Sequence, residues 1–166
     1  MLKVILAALA AAAAIAVAFA VQAAPEDAHA HDHDMRHPGG AAMADNRTLV
    51  QYPEMLRVHT LTNMRDHLLA LGEIQEALAA GAFDRAGEIA EQRLGVTSLE
   101  RHGAHEVAGH MPAEMRDMGT AMHRAASRFA VAANDAAVSG DVRPALAALA
   151  RVTQSCVACH DNFRLQ

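Results

Sequence analysis

The chain has 166 residues, 52% of them hydrophobic, and its 19 acidic and 14 basic residues give a formal net charge of −5. This length suits one ordinary domain. The acidic surface implied by the charge does not suit nucleic acid or anionic lipid, so neither a nucleic acid nor a membrane is expected as a partner of the mature protein.

Residues 1–23 have the pattern of a secretory signal peptide. Lys3, the only lysine, supplies the positive charge, residues 4–20 are apolar throughout, and small residues precede a cleavage site after Ala23. Cleavage after Ala20 is the alternative, and an uncleaved anchor stays open because the apolar run nearly reaches membrane-spanning length. The signal peptide predicts a location in the periplasm.

Residues 24–47 are rich in Pro, Gly, Asp and His and show neither helical nor strand periodicity, which predicts a disordered tether. Four histidines are interleaved with acidic and small residues in this segment: His29, His31, His33 and His37. Such a tract can also bind copper, nickel or zinc, so a metal-binding tether is the alternative interpretation.

Residues 48–166 are predicted to form the folded domain, with four helices. The first covers about residues 53–80 and is followed by Gly81, a typical helix end. Its apolar stripe comprises Leu61, Met64, Leu68, Leu71 and Leu78. The second covers residues 84–94, with Asp84 as its N-cap.

The segment from residue 95 to residue 111 is the least regular part of the domain. It contains three histidines that lie close together in the sequence, His102, His105 and His110. Their spacing is compatible with a metal site but lacks a sustained helix or thiolate partners. Histidines on the surface, or beside a cofactor, are therefore the favoured interpretation.

The third helix is predicted over residues 112–138 and the fourth from Asp141 to the end of the chain. The stripe of the third helix comprises Met115, Met118, Met122, Ala125 or Ala126, Phe129 and Ala133. The stripe of the fourth comprises Leu146, Leu149, Val152, Cys156, Cys159 and Phe163. Four helices without a credible strand predict an all-α fold, an antiparallel four-helix bundle that holds its cofactor among inward side chains.

Cys156, Cys159 and His160 form a C-x-x-C-H run, the attachment pattern of a c-type haem. The two thiols can add across the vinyl groups of haem, and their spacing puts both sulfur atoms on one side of a helical turn. His160 can then reach one axial face of the iron. The alternatives are a thioredoxin-like redox pair, a local disulfide and half of a zinc site, although zinc would need thiolates beyond the only two cysteines.

The run reads C-V-A-C-H-D-N-F-R over residues 156–164 and ends a C-terminal helix. Together with a long first helix that carries an inward methionine, it resembles the class II c-type cytochromes, the cytochrome c′ family, over about residues 48–166. The resemblance implies one covalent haem c on the two cysteines, His160 as the proximal iron ligand, and Arg164 near the haem or its propionates. A structural salt bridge is the alternative for Arg164.

The sixth coordination position of the iron stays open at this stage. In the low-spin, methionine-ligated branch of the family a methionine from the first helix fills it, and Met64 is the matching residue here. His67, one turn further on, is the runner-up, and either His67 or His59 would give a bis-histidine iron, which stays open. An apolar side chain at that position would leave a five-coordinate iron that binds nitric oxide or carbon monoxide.

With a His/Met-ligated iron, the expected function is that of a periplasmic mono-haem electron carrier, not an enzyme, which exchanges electrons by outer-sphere transfer with an unidentified redox partner. The alternatives are a five-coordinate haem protein that binds small gases, or a periplasmic metal-binding protein that uses the His-rich tether. Whether the domain forms a homodimer stays open.

Overall fold

The computed structural model describes residues 44–166, so the predicted signal peptide and most of the predicted tether lie outside the described residues. The described part is mostly helical, which confirms an all-α fold. Its helices are α1 (Glu54–Ala79), α2 (Phe83–Arg93), α3 (Ala104–Ala108), α4 (Ala113–Ser139) and α5 (Arg143–Asn162), with a 3₁₀ turn at Val96–Ser98.

Two short strands, β1 (Thr48–Val50) and β2 (Phe163–Leu165), correct the expectation that the chain has no strand. They pair in parallel, with Thr48 opposite Phe163 and Val50 opposite Leu165. Three-residue strands are too short to show the alternation of apolar and polar residues that identifies a strand in a sequence. Their pairing ties the segment before α1 to the segment after α5.

The helix ends follow local chemistry closely. Gly81 and Gly140 adopt φ of +72° and +74°, a left-handed conformation that favours glycine and ends α1 and α4. Asp84 was predicted to be the N-cap of α2. It lies inside the first turn instead, because α2 begins one residue earlier. Asp141 precedes the N-cap of α5, and its carboxylate accepts a hydrogen bond from the backbone N–H of Arg143 at 3.1 Å.

The main core lies where α4 packs against α2 and α5 and where α1 packs against α2. The predicted stripe of α4 is confirmed from Met122 onwards, and Phe129 is its largest fully buried side chain. On α5, Leu149 and Val152 are buried as expected, whereas Ala145 takes the buried position predicted for Leu146.

The apolar stripe predicted for α1 is wrong in its details. The buried residues of this helix are Thr60, His67, Ala70, Ile74 and Ala77. The predicted leucines and Met64 lie beside this line, and Leu68 is 72% exposed. The buried line combines two alanines with the larger side chains of His67 and Ile74, and the predicted leucines lie at its edges.

No helix within residues 44–166 is both long enough and apolar enough to span a membrane.

We expect Gly87→Ala to lower the free energy of unfolding by about 1–3 kcal/mol, because overpacking a close helix contact forces the surroundings to move. A Cβ atom on Gly87 would lie 2.8 Å from Asn134 Oδ1 and 3.0 Å from the backbone oxygen of Ala130, at the contact of α2 with α4. Chemical denaturation measures the change.

Gly72→Ala is the matched control, since a Cβ atom on this α1 glycine meets nothing within 4 Å. It should raise the free energy of unfolding by about 0.4–1 kcal/mol through the reduced entropy of the unfolded chain. Equal effects of the two substitutions would contradict the close approach of α2 to α4.

Candidate functional site

The C-x-x-C-H run occupies the last two turns of α5. Cys156 and Cys159 are both half-buried; the former packs against the main core and the latter against a second apolar cluster around Val50, Tyr52 and Phe163. His160 is exposed and lines the same cleft as the cysteines. Both cysteines therefore line one cavity, as expected if their spacing places both sulfur atoms on one side of a helical turn.

This cleft consists of two adjoining cavities of about 340 and 400 Å³. The cavities share Cys159 and His160 from α5, Met64 and His67 from α1, and Met122 from α4. The remaining walls are largely apolar and include Leu68, Leu71, Met118, Met111, Met115 and Phe163. Ligand-binding pockets of proteins have volumes of about 300–1,000 Å³ and are mostly apolar, so this cleft is a candidate binding site.

Two of the three candidate sixth ligands, Met64 and His67, line both cavities. Met64 is half-buried, whereas His67 is buried and its Nε2 atom has no hydrogen-bond partner. His59, the third candidate, lies outside the lining of the cleft, and its Nε2 atom is 2.9 Å from the backbone oxygen of His102. This contact ties His59 to the segment before α3, which removes the basis for a bis-histidine site built with it.

Burial raises the pKa of both thiols, and the mutual repulsion of the two sulfur charges raises that of Cys159 further. Burial, together with the charge of a Cys159 thiolate, also raises the pKa of Tyr52 to about 12. Reactive and redox-active cysteines have lowered pKa values instead. The surroundings of this pair therefore do not favour a thioredoxin-like redox function.

Arg164 lies on β2 at the rim of the second cavity, with its Nε atom 3.3 Å from Asp45 Oδ2. Arg47 lines the same cavity, binds the Asp45 carboxylate through two nitrogen atoms, and places Nη1 3.4 Å from the backbone oxygen of His160. The hydrogen bond from Arg47 is the main cause that holds the pKa of Asp45 at about 2. Both guanidinium groups thus line the same cavity as His160.

Arg47 was not identified from the sequence, because it lies at the end of the predicted tether and far from the motif along the chain. The salt bridge that the sequence left open for Arg164 is present with Asp45. Its distance suits an ion pair, but the Nε atom lacks hydrogen-bond geometry and remains without a hydrogen-bond partner.

Three histidines from separate elements meet in the interior beside the cleft: His67, His102 and His123. His102 is buried, whereas the two histidines grouped with it in the sequence, His105 and His110, are exposed. His123 was not identified from the sequence, because nothing in the amphipathic pattern of α4 distinguishes it from the other polar residues of that helix. No signal local to the sequence indicates a contact between residues 67, 102 and 123.

No family model, curated protein or solved structure matches this chain. The resemblance to the class II c-type cytochromes therefore stays a prediction from the sequence.

Replacing Phe163 by Ala should lower the free energy of unfolding by about 3–5 kcal/mol, because the ring is buried in the second apolar cluster directly after α5. Leu49→Ala, on the paired strand, is the control: Leu49 is 38% exposed, and its substitution should cost less than about 1.5 kcal/mol. Denaturant titration of the purified variants checks both values. Similar losses of stability in the two variants would contradict the inference that burial of the Phe163 ring holds the segment after α5 in place.

Proposed function

We propose that this protein is a periplasmic mono-haem c-type cytochrome that carries electrons. The observation that carries the proposal is the position of Cys156, Cys159 and His160 in one apolar cleft, which Met64 also lines from α1. The proposed haem c is attached through both cysteines, with His160 as the proximal iron ligand and Met64 as the distal one.

We also propose that α1, α2, α4 and α5 form an antiparallel four-helix bundle. Only residues 80–82 connect α1 to α2, and only residues 140–142 connect α4 to α5. Such short connections favour antiparallel neighbours. The longer segment between α2 and α4 contains the 3₁₀ turn and α3.

The cleft has the chemistry that a porphyrin requires. Its walls are aliphatic and thioether side chains, and Leu68, although 72% exposed, faces the same cavity as Cys156. A large apolar cofactor in this position would remove Leu68 and Leu71 from water. The positive charges of Arg47 and Arg164 at the rim suit the anionic propionates that a haem carries.

Each residue of the site has a distinct function in the proposal. When bound, haem supplies an iron that changes between two oxidation states, which is the chemistry of an electron carrier. Met64 offers a thioether, a ligand that raises the reduction potential of haem iron. The apolar walls exclude water, and the exposed side chains of Val157 and His160 leave this part of α5 accessible to a redox partner.

Met64 is favoured over His67 as the distal ligand because their surroundings differ. The ring of His67 packs against His102 and His123, with centroid distances of 4.7 and 5.9 Å. Met64 is only half-buried and lines the cavities that contain the C-x-x-C-H residues. A flexible thioether can therefore reach the cleft without breaking a packed cluster.

The proposal predicts a low-spin visible spectrum, in both oxidation states, that does not change on addition of carbon monoxide. Met64→Ala should give a high-spin spectrum that shifts with carbon monoxide, because the substitution opens the sixth position. Met55→Ala is the matched control, since Met55 lies on the same helix and is 84% exposed. Spectra of periplasmically expressed protein test all three forms.

A parent protein that binds carbon monoxide would overturn the Met64 assignment and favour gas binding. A low-spin spectrum that survives Met64→Ala would transfer the sixth position to another residue. Absence of a covalent haem spectrum from cells that mature c-type cytochromes would overturn the proposed function itself.

Leu68→Gln tests the contact between cofactor and cleft. In the haem-bearing protein it should lower the free energy of unfolding by about 1–2 kcal/mol, because it replaces an apolar wall of the cofactor pocket. Leu69→Gln is the control: Leu69 is 59% exposed and lies outside the lining of both cavities, so its substitution should change stability by less than about 0.5 kcal/mol. Equal effects would place the cofactor elsewhere.

A further inference from the structure

The histidine cluster consists of His67 on α1, His102 between the 3₁₀ turn and α3, and His123 on α4. Each residue is 8% exposed. The ring centroids are 4.7 Å apart for His67 and His102, 5.5 Å for His102 and His123, and 5.9 Å for His67 and His123. All three line a cavity of about 180 Å³.

Hydrogen bonds define the tautomers of two of these rings. The Nδ1 atom of His123 lies 2.7 Å from the backbone oxygen of Leu94, so it must carry the proton and donate it. The hydroxyl of Ser98 donates to the backbone oxygen of Gly95 at 2.7 Å. Its oxygen therefore accepts from Nδ1 of His102 at 3.3 Å. In both rings the Nε2 atom retains its lone pair.

The third ring leaves a nitrogen unused as well. Nε2 of His67 is buried and has no hydrogen-bond partner. Buried polar atoms are almost always hydrogen-bonded, and an exception in a folded protein calls for an explanation such as a bound ion. The Nε2 atom of His67 therefore has no hydrogen-bond partner, and the Nε2 atoms of His102 and His123 each keep a lone pair that can bind a metal ion.

The spacing of the rings matches that of a three-histidine metal site. With Zn–N distances of about 2.0–2.1 Å and tetrahedral angles, the ring centroids of three ligating histidines lie roughly 5 Å apart. Ligating histidines usually donate their other ring N–H to a backbone carbonyl or another polar group. The contacts of His123 with Leu94 and of His102 with Ser98 have this form.

The surroundings also suit a cation. Burial and the neighbouring rings lower the pKa of His67 to about 4, and burial is likewise the main cause that lowers the pKa of His102 to about 4. Neutral imidazole is the form that binds metals. The charge of Arg93, which acts on His67, is paired with the carboxylates of Asp66 and Glu73. Arg116 also lines the cavity, and its guanidinium donates to backbone oxygens of the segment before α4.

We propose that His67, His102 and His123 bind one divalent transition-metal ion, such as Zn²⁺, through their Nε2 atoms. Within residues 44–166 no three His, Cys, Asp or Glu side chains already converge as metal ligands. Binding therefore requires a shift of the rings within the 180 Å³ cavity: His67, whose Nε2 atom has no hydrogen-bond partner, moves towards His102 and His123, which keep their Nδ1 contacts. The site adjoins the proposed haem cleft, which His67 also lines, and it assigns His67 to this ion rather than to iron.

The test uses the full haem-bearing protein in a background that carries His29→Ala, His31→Ala, His33→Ala and His37→Ala. This background removes the histidines of the tether, which could bind zinc themselves. Competition with a fluorescent zinc chelator measures stoichiometry and affinity. One equivalent of Zn²⁺ is expected, and absence of a bound equivalent would overturn the proposal.

Variants identify the ligands. His102→Ala and His123→Ala should each weaken zinc binding at least tenfold, and Ser98→Ala, which removes the acceptor for His102, by about 10–100-fold. His105→Ala is the matched control, since His105 is exposed in the same part of the chain, and it should leave the affinity unchanged. Equal affinities in all four variants would contradict the site.

Zinc K-edge X-ray absorption of the background protein identifies the zinc ligands without any substitution in the core. Haem iron does not interfere, because its absorption edge lies at a different energy. The expected spectrum shows three nitrogen ligands at about 2.0–2.1 Å with the outer-shell scattering of imidazole. A spectrum with oxygen ligands alone would overturn the proposal.

Discussion

The small size of the side chains in the main core determines how closely the helices pack. Ten of its 17 buried residues are alanines. Alanine faces allow helices to approach until their backbones nearly touch, as Gly87 of α2 does with Ala130 of α4. The longer leucines and methionines are then displaced to the edges of these contacts. On α1 and α4 those edges border the cleft at the end of α5, so close packing in one place creates an apolar cavity in another.

The cleft is held in place by the two ends of the described chain. Pairing of β1 with β2 and burial of Phe163 fix the segment after α5, and Asp45 joins Arg47 to Arg164 beside His160. In the proposed haem protein this arrangement places the thioether bonds on a rigid helix and positive charge at the rim. The cofactor would complete the domain, because its apolar faces would cover the methionines and leucines that the alanine core leaves uncovered.

Much of this fold could be predicted from local signals, and the exceptions have a physical cause. The glycines that end α1 and α4 and the inward line of α4 act within one or two turns, so they are visible in the sequence. The stripe of α1 was misassigned because hydrophobicity alone ranks Leu68 above Ala70, whereas close packing favours the alanine. The contact of His123 with His67, and of Arg47 with the carbonyl of His160, depends on tertiary structure alone. The interpretation of the two cysteines and His160 as a haem-attachment run depends on their spacing in the sequence, and it stays a prediction.

The intact mass of the purified, denatured protein shows whether Cys156 and Cys159 carry one covalent haem, as proposed. Haem held only by coordination is lost on denaturation, whereas thioether bonds survive. We expect a single species, from cells that mature c-type cytochromes, whose mass equals that of the mature polypeptide plus one haem. A mass equal to that of the polypeptide alone, from cells that attach haem to another c-type cytochrome, would contradict it.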